Sequence, residues 1–390
     1  MKIPLLDLKA QYGSIKDEID QKLREVITSQ IFILGPEVEA LEKELAAHSQ
    51  VNHAIGVSSG SDALIVSLMA LEISREDLVI TTPFTFFATG GAIVRVGAKP
   101  VFCDINARSF NLDPDKLESV LEGLKKRGEL SRAKAILPVH LYGQCADMAP
   151  IMFLAKKYGL AVVEDAAQAI GVDYPSPFGI QKAGGVGDLG TLSFYPSKNL
   201  SAFGDAGMVL TNREDLAQKV RLLRVHGEKQ RYYYETIGGN FRLDAIQAAV
   251  LRIKLKHLET WQEERRRRAL YYDRKFEETG LSKKGLLQTP VALYKDCGAR
   301  NYHTYHQYVV RAKKRDDLQA WLKDKEIGTS IYYPLSLHLQ KCFAGLGYKE
   351  GDFPESEKAA REVLALPVYP ELTTDQQDYV VNSIQEFYKK

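Results

Sequence analysis

Apolar residues recur at three- and four-residue spacing between residues 11 and 29, where Ile15, Ile19, Leu23 and Val26 share one face and predict an amphipathic helix. Gly35-Pro36 opens a second helix. Proline suits the first helical position, Glu37 and Glu39 suit the first turn, and Val38, Leu41 and Leu45 form the buried stripe. The period then changes. Residues 54–57 form a short apolar run that predicts a strand, followed by a small polar turn at 58–62 and an apolar helix over 63–71. Further strands are predicted at 78–81, 99–104, 135–139, 160–164, 191–195 and 207–211. A helix is predicted over 148–158, closed by Gly159. Residues 118–132 are charged and read as a helix with a loop, and the Pro- and Gly-rich run 173–187 reads as a loop.

Strands and helices thus alternate from residue 54 to about 225, the pattern of an α/β domain with a mostly parallel sheet. From Arg242 a long helical stretch runs to Phe276. It contains Arg265 to Arg268, read as a solvated face because Glu263 and Glu264 precede them. Beyond Gly280 the pattern predicts a strand at 307–311, a helix at 316–325 and a strand at 329–333. The chain is therefore expected to hold a large α/β domain at 1–255 and a smaller α+β domain at 256–390.

Composition narrows the function classes. The 390 residues are 45% hydrophobic and 26% charged, with a net charge of +2. That balance argues against general nucleic-acid or membrane-surface binding. Cys103, Cys145, Cys297 and Cys342 are far apart, which speaks against a metal site or a disulfide framework and fits a reducing compartment. The apolar run at the start is too short for a signal peptide, and no stretch is long and apolar enough to span a bilayer, so a cytoplasmic location is expected.

Ligands of parallel α/β sheets sit at the carboxyl ends of the strands. The turn 58–62, Phe86, His140, Asp165 and Lys198 all fall there. Four of them have an ordinary alternative: a helix N-cap for the turn, core packing for Phe86, a strand-end acid for Asp165 and a lysine that reaches solvent for Lys198. Together they match a pyridoxal phosphate (PLP) site. Such a site needs a lysine for the Schiff base, an acid beside the pyridine nitrogen, a phosphate cup and a surface against the ring. Lys198, Asp165, the 58–62 turn with Ser193, and Phe86 can supply them in turn.

The motifs then meet a known family. The chain carries Ile33-Leu-Gly-Pro-Glu37, Ser59-Gly-Ser-Asp-Ala-Leu64, Pro83-Phe-Thr-Phe-Phe-Ala-Thr89, Pro138-Val-His-Leu-Tyr-Gly143, Glu164-Asp-Ala-Ala-Gln-Ala169, Ser193-Phe-Tyr-Pro-Ser-Lys-Asn-Leu200, Gly238-Gly-Asn-Phe-Arg242 and Gly351-Asp-Phe-Pro354. It resembles, over nearly its whole length, the DegT/DnrJ/EryC1/StrS family of PLP-dependent sugar aminotransferases. The resemblance implies the aspartate-aminotransferase-type fold (fold type I) and a homodimer. It makes Lys198 the Schiff-base lysine and proton shuttle, and Asp165 the partner of the pyridinium. Gln168 would bond the cofactor's phenolic oxygen, and Phe86 would stack on the ring. Gly60, Ser61 and Ser193 would hold the phosphate, with Asn240 reaching it across the dimer. His338 matches a position associated with the nucleotide-sugar substrate.

Family members that dehydrate sugars have histidine in place of Lys198, so the lysine favours transamination. The stretch from Lys198 to Gly207 resembles the branch that aminates sugar C3 rather than C4. The implied reaction moves an amino group from L-glutamate to a dTDP- or UDP-linked 3-keto sugar, feeding lipopolysaccharide, glycoprotein or antibiotic glycans. The rival readings are a 4-keto-sugar aminotransferase and a non-catalytic regulator on the same fold.

Overall fold

The computed structural model describes residues 1–389. Seven strands form the main sheet: β1 (His53–Val57), β2 (Leu78–Thr81), β3 (Lys99–Phe102), β4 (Ala133–Leu137), β5 (Ala161–Asp165), β6 (Leu189–Ser193) and β7 (Gly207–Thr211). Their order across the sheet is β1-β7-β6-β5-β4-β2-β3. All neighbours pair in parallel except β7, which is antiparallel to both β6 and β1.

The apolar runs are continuous because both faces are covered. Val79, Leu137 and Val163 point to one side, against the helices Gly60–Ala70, Phe87–Arg95 and Glu214–Leu223. Their neighbours Ile80, Ile136 and Val162 point to the other, against Pro114–Lys126 and Met148–Tyr158. Leu192, Met208 and Leu210 continue that face beneath Pro36–His48 and Ala245–Leu255.

A second, antiparallel sheet of β8 (Leu287–Gln288), β9 (Tyr308–Ala312) and β10 (Val363–Leu366) lies in the C-terminal part. Its core joins Tyr308 and Leu364 to Tyr272 and Phe276 of the long helix Leu258–Thr279, to Ile384 of the last helix, and to Ile3 near the start of the chain. Among the described residues no helix is long and apolar enough to cross a membrane.

Four expectations change. The helical stretch from Arg242 breaks between Leu255 and Leu258, where Lys256 and His257 donate back to Ile253 and Lys254 in a tight turn. The break lets the two helices serve different cores, Leu251 the large sheet and Phe276 the small one. The run 173–187 is not all loop: Asp173–Ser176 and Gly179–Lys182 pair as a hairpin. Pro175 is tolerated because a two-stranded ribbon is all edge. Residues 329–333 form no strand; only Ser330 bridges Ala365, and the chain then leaves the sheet. Arg265 and Arg266 are buried, not solvated. Arg265 Nη1 donates to the carbonyls of Tyr305, His306 and Val368 and ties the long helix to the C-terminal segments.

Candidate active site

Asp165 ends β5 and is buried. Its Oδ2 accepts from Thr89 Oγ1 at 2.8 Å and its Oδ1 from the Ala167 N–H at 3.2 Å. Thr89 in turn shares a 3.0 Å bond with Thr85. The carboxylate is thus held in one pose with donors on both oxygens. Beneath it Glu164 is saturated. It accepts from the N–H groups of Gly184, Val186 and Gly187 and faces His140 Nε2 at 2.8 Å. The Ala146 N–H donates to His140 Nδ1, so the ring proton sits on Nε2 and points at Glu164. His140, Cys145 and Glu164 come close enough to hold a metal ion. His140 and Glu164 are already engaged in these bonds, and burial raises the pKa of the Cys145 thiol so that it keeps its proton, which favours a structural role for the cluster.

Lys198 follows β6, and its N–H closes a turn onto the Tyr195 carbonyl at 2.8 Å. The residue is half-buried, and its amine sits in a desolvated part of the cleft within electrostatic reach of Asp165. Burial lowers the amine's pKa to about 8, against the opposing pull of Asp165. No hydrogen bond engages the amine among the described residues. Gln168 is fixed by Oε1, which accepts from the Tyr142 N–H at 2.6 Å, and by Nε2, which donates to Tyr333 Oη at 3.2 Å. Phe86 is 57% exposed and meets Tyr333 at a ring-centroid distance of 6.2 Å.

The cup forms where β1 runs into the helix Gly60–Ala70. Ser59 Oγ caps it by accepting from the Asp62 N–H at 3.0 Å. The N–H groups of Gly60 and Ser61 have no carbonyl one turn back and point outward, as an anion requires. Close approach depends on glycine. A Cβ on Gly60 would lie 2.5 Å from Ser193 Cβ, and one on Gly207 would collide with the Ser59 carbonyl oxygen.

These residues fit PLP: an unpartnered amine opposite an anchored acid, an open aromatic face and an anion cup, gathered at the carboxyl ends of the strands. The sequence matches the model of the DegT/DnrJ/EryC1/StrS aminotransferase family over residues 13–385. The chain belongs to this family. It is 50% identical over 389 residues to the "Pleiotropic regulatory protein" of Geobacillus stearothermophilus, covering 100% of this chain and 99% of that one. It is 41% identical to the UDP-N-acetyl-3-dehydro-alpha-D-glucosamine 3-aminotransferase of Acidithiobacillus ferrooxidans over 374 residues, 96% of this chain and 95% of that one. Among solved structures, Streptomyces venezuelae DesV in complex with a ketimine intermediate matches with a TM-score of 0.90 at 38% identity, covering 100% of this chain and 99% of that one. The α/β architecture is therefore that of the PLP aminotransferases.

In this aminotransferase the remaining expected residues fall in two places. Asn240 is exposed beside the cup of its own chain. With Ser58, Asp205 and Arg242 it lines a recess of about 400 Å³, and the Ser58 N–H donates to the Phe241 carbonyl. His338 stands apart and is enclosed. Its Nε2 faces Glu357 Oε1 at 3.1 Å and its ring packs against Phe353. Burial lowers its pKa and Glu357 opposes that. Thr89 and Tyr333 escaped the sequence reading. Thr89 carried one usable signal, its place three residues after Phe86 in the first turn of a helix aimed at the strand ends.

Proposed function

We propose that this enzyme carries PLP and transfers an amino group from L-glutamate to a nucleotide-linked 3-keto sugar. The observation that carries the reading is the Lys198 amine, without a hydrogen-bond partner among the described residues, in the cleft and within electrostatic reach of the anchored Asp165 carboxylate. When bound, the cofactor supplies an electron sink for the substrate carbon. The protein supplies the rest. With a pKa near 8, Lys198 Nζ can give up and take back a proton close to neutral pH. Asp165, kept from swinging by Thr89 and Ala167, holds positive charge on the ring nitrogen. Gln168 offers its amide to the phenolic oxygen, and Phe86 covers one ring face. Gly60, Ser61 and Ser193 receive the phosphate. Asn240 is exposed beside its own cup, and a second copy packed on that face would bring its own Asn240 to this phosphate, making the working unit a homodimer. His338 acts on the substrate side by holding Glu357, which accepts from the N–H groups of Gly351 and Phe353. The cofactor domain lies within residues 1–255 and the smaller domain within 256–389, with the start of the chain crossing over at Ile3 to pack in the smaller domain's core.

The 3-keto assignment is supported by the 3-aminotransferase activity for which the Acidithiobacillus relative is named and by the Lys198–Gly207 stretch. The relative described as regulatory keeps a second role in view, yet the lysine, the acid and the cup are all in place here. The test is an absorbance titration of the PLP-loaded protein. L-Glutamate and 3-amino nucleotide sugars are expected to bleach the visible cofactor band. A response to 4-amino sugars alone would move the enzyme to the other branch, and no response to glutamate would overturn the donor.

A further inference from the structure

The residue after the lysine is clasped from behind. Asn199 is buried, and its Nδ2 donates to the Thr304 carbonyl at 3.1 Å. That leaves its Oδ1 to face His306 Nδ1, also at 3.1 Å, so Nδ1 carries the ring proton and donates. The segment that bears this histidine is fixed on several sides. The Thr304 N–H donates to the Gly143 carbonyl at 2.9 Å, Thr304 Oγ1 to the Gln168 carbonyl at 3.3 Å, and Arg265 Nη1 to the Tyr305 carbonyl at 3.1 Å. His306, Ser197, Arg265 and Tyr332 line a small cavity of about 40 Å³, room for little more than one or two waters. The imidazole therefore shares the wall of this space with Ser197 and is bonded to Asn199, so it stands beside both chain neighbours of Lys198.

We propose that His306, locked to Asn199, is a positioning residue that seals the back of the Lys198 site against water and keeps the amine aimed into the cleft. This deepens the reading of Lys198 as the reactive amine and rests on it. The ring is suited to the task because it stays neutral. Burial, then the neighbouring Lys198 and Arg265, hold its pKa well below the usual histidine range. The charged groups around the pair are Asp165 at the end of β5, Arg265 on the long helix, and Glu371, which acts through Arg265. A protonated His306 would add a cation beside two others. Desolvation is the largest cause of the low Lys198 pKa, so whatever admits water there raises it.

The test reads the amine directly. The full-length, PLP-free protein is labelled with a lysine-acylating reagent across a pH series, and the Lys198 peptide is quantified by mass spectrometry. The wild-type midpoint is expected near the Lys198 value of about 8. His306→Ala is expected to raise it by about one pH unit. His306→Gln, which fills the space and can donate to Asn199 Oδ1, is expected to stay within about 0.3 pH unit of wild type. An unchanged midpoint in His306→Ala, or a shift in His306→Gln equal to that of His306→Ala, would overturn the proposal. If His306→Ala does not fold, Asn199→Ser releases the clasp with the ring in place; a raised midpoint supports the proposal and an unchanged one overturns it. Because no cofactor is present, this result is independent of whether the loaded protein transaminates.

Discussion

Thr89→Val isolates one hydrogen bond at the centre of the site. Thr89 is fully buried, and its hydroxyl donates to Asp165 Oδ2 at 2.8 Å. Valine keeps the branched shape and removes the donor. The other carboxylate oxygen retains only the longer 3.2 Å bond from Ala167. A hydrogen bond to a charged group contributes about 1.5–3 kcal/mol, and each 1.4 kcal/mol is about tenfold. The expected loss is therefore roughly 10- to 150-fold, divided between PLP affinity and kcat. The variant also leaves the Thr85 hydroxyl without its partner, which costs stability by itself. Thr85→Val separates the two effects: it breaks the Thr85–Thr89 bond and leaves Asp165 held. PLP affinity by fluorescence quenching and single-turnover rates with L-glutamate are the assays. Wild-type values in Thr89→Val, or equal losses in the two variants, would refute the view that Thr89 fixes the acid.

Three other outcomes follow from the geometry. Lys198→Ala should abolish turnover, and a variant that transaminates at the wild-type rate would sink the mechanism. Gly207→Ala should force β7 away from Ser59 and Gly60 and weaken PLP binding before it unfolds the chain, as a cofactor titration beside thermal unfolding would show. Lys254 is buried against Ser201 Oγ at 2.9 Å, with its pKa lowered by burial to about 8. Between pH 8 and 10 the unfolded chain holds this proton and the folded one has released it, so Lys254 makes stability rise with pH there. Urea unfolding should give a wild-type-minus-Lys254→Met difference that climbs by up to about 1.4 kcal/mol per pH unit; a flat difference would contradict the lowered pKa of the buried amine.

Much of the fold is legible because parallel strands buried on both faces write themselves as apolar runs, as 78–81 and 207–211 do. Asp165 and Lys198 are legible for a related reason, since each directly follows or ends such a run. What escaped depends on partners distant in sequence. Arg265 looks like surface charge until the carbonyls of Tyr305 and Val368 surround it. The strand Asp173–Ser176 is hidden by the proline that an edge tolerates. Thr89 is one small hydroxyl among several in its segment, and its acid lies 76 positions away. The enclosure of His338 is equally non-local, since Glu357 and Phe353 come from a later helix and the turn before it.

The most direct test of the central claim is to find where the cofactor attaches. PLP-loaded protein would be reduced with borohydride, which fixes the cofactor to its lysine, then digested and read by mass spectrometry. The account predicts a single pyridoxyl-modified peptide, with the added mass on Lys198. The mass on Lys254 or any other lysine, or no modified peptide from protein shown to hold PLP, would contradict it.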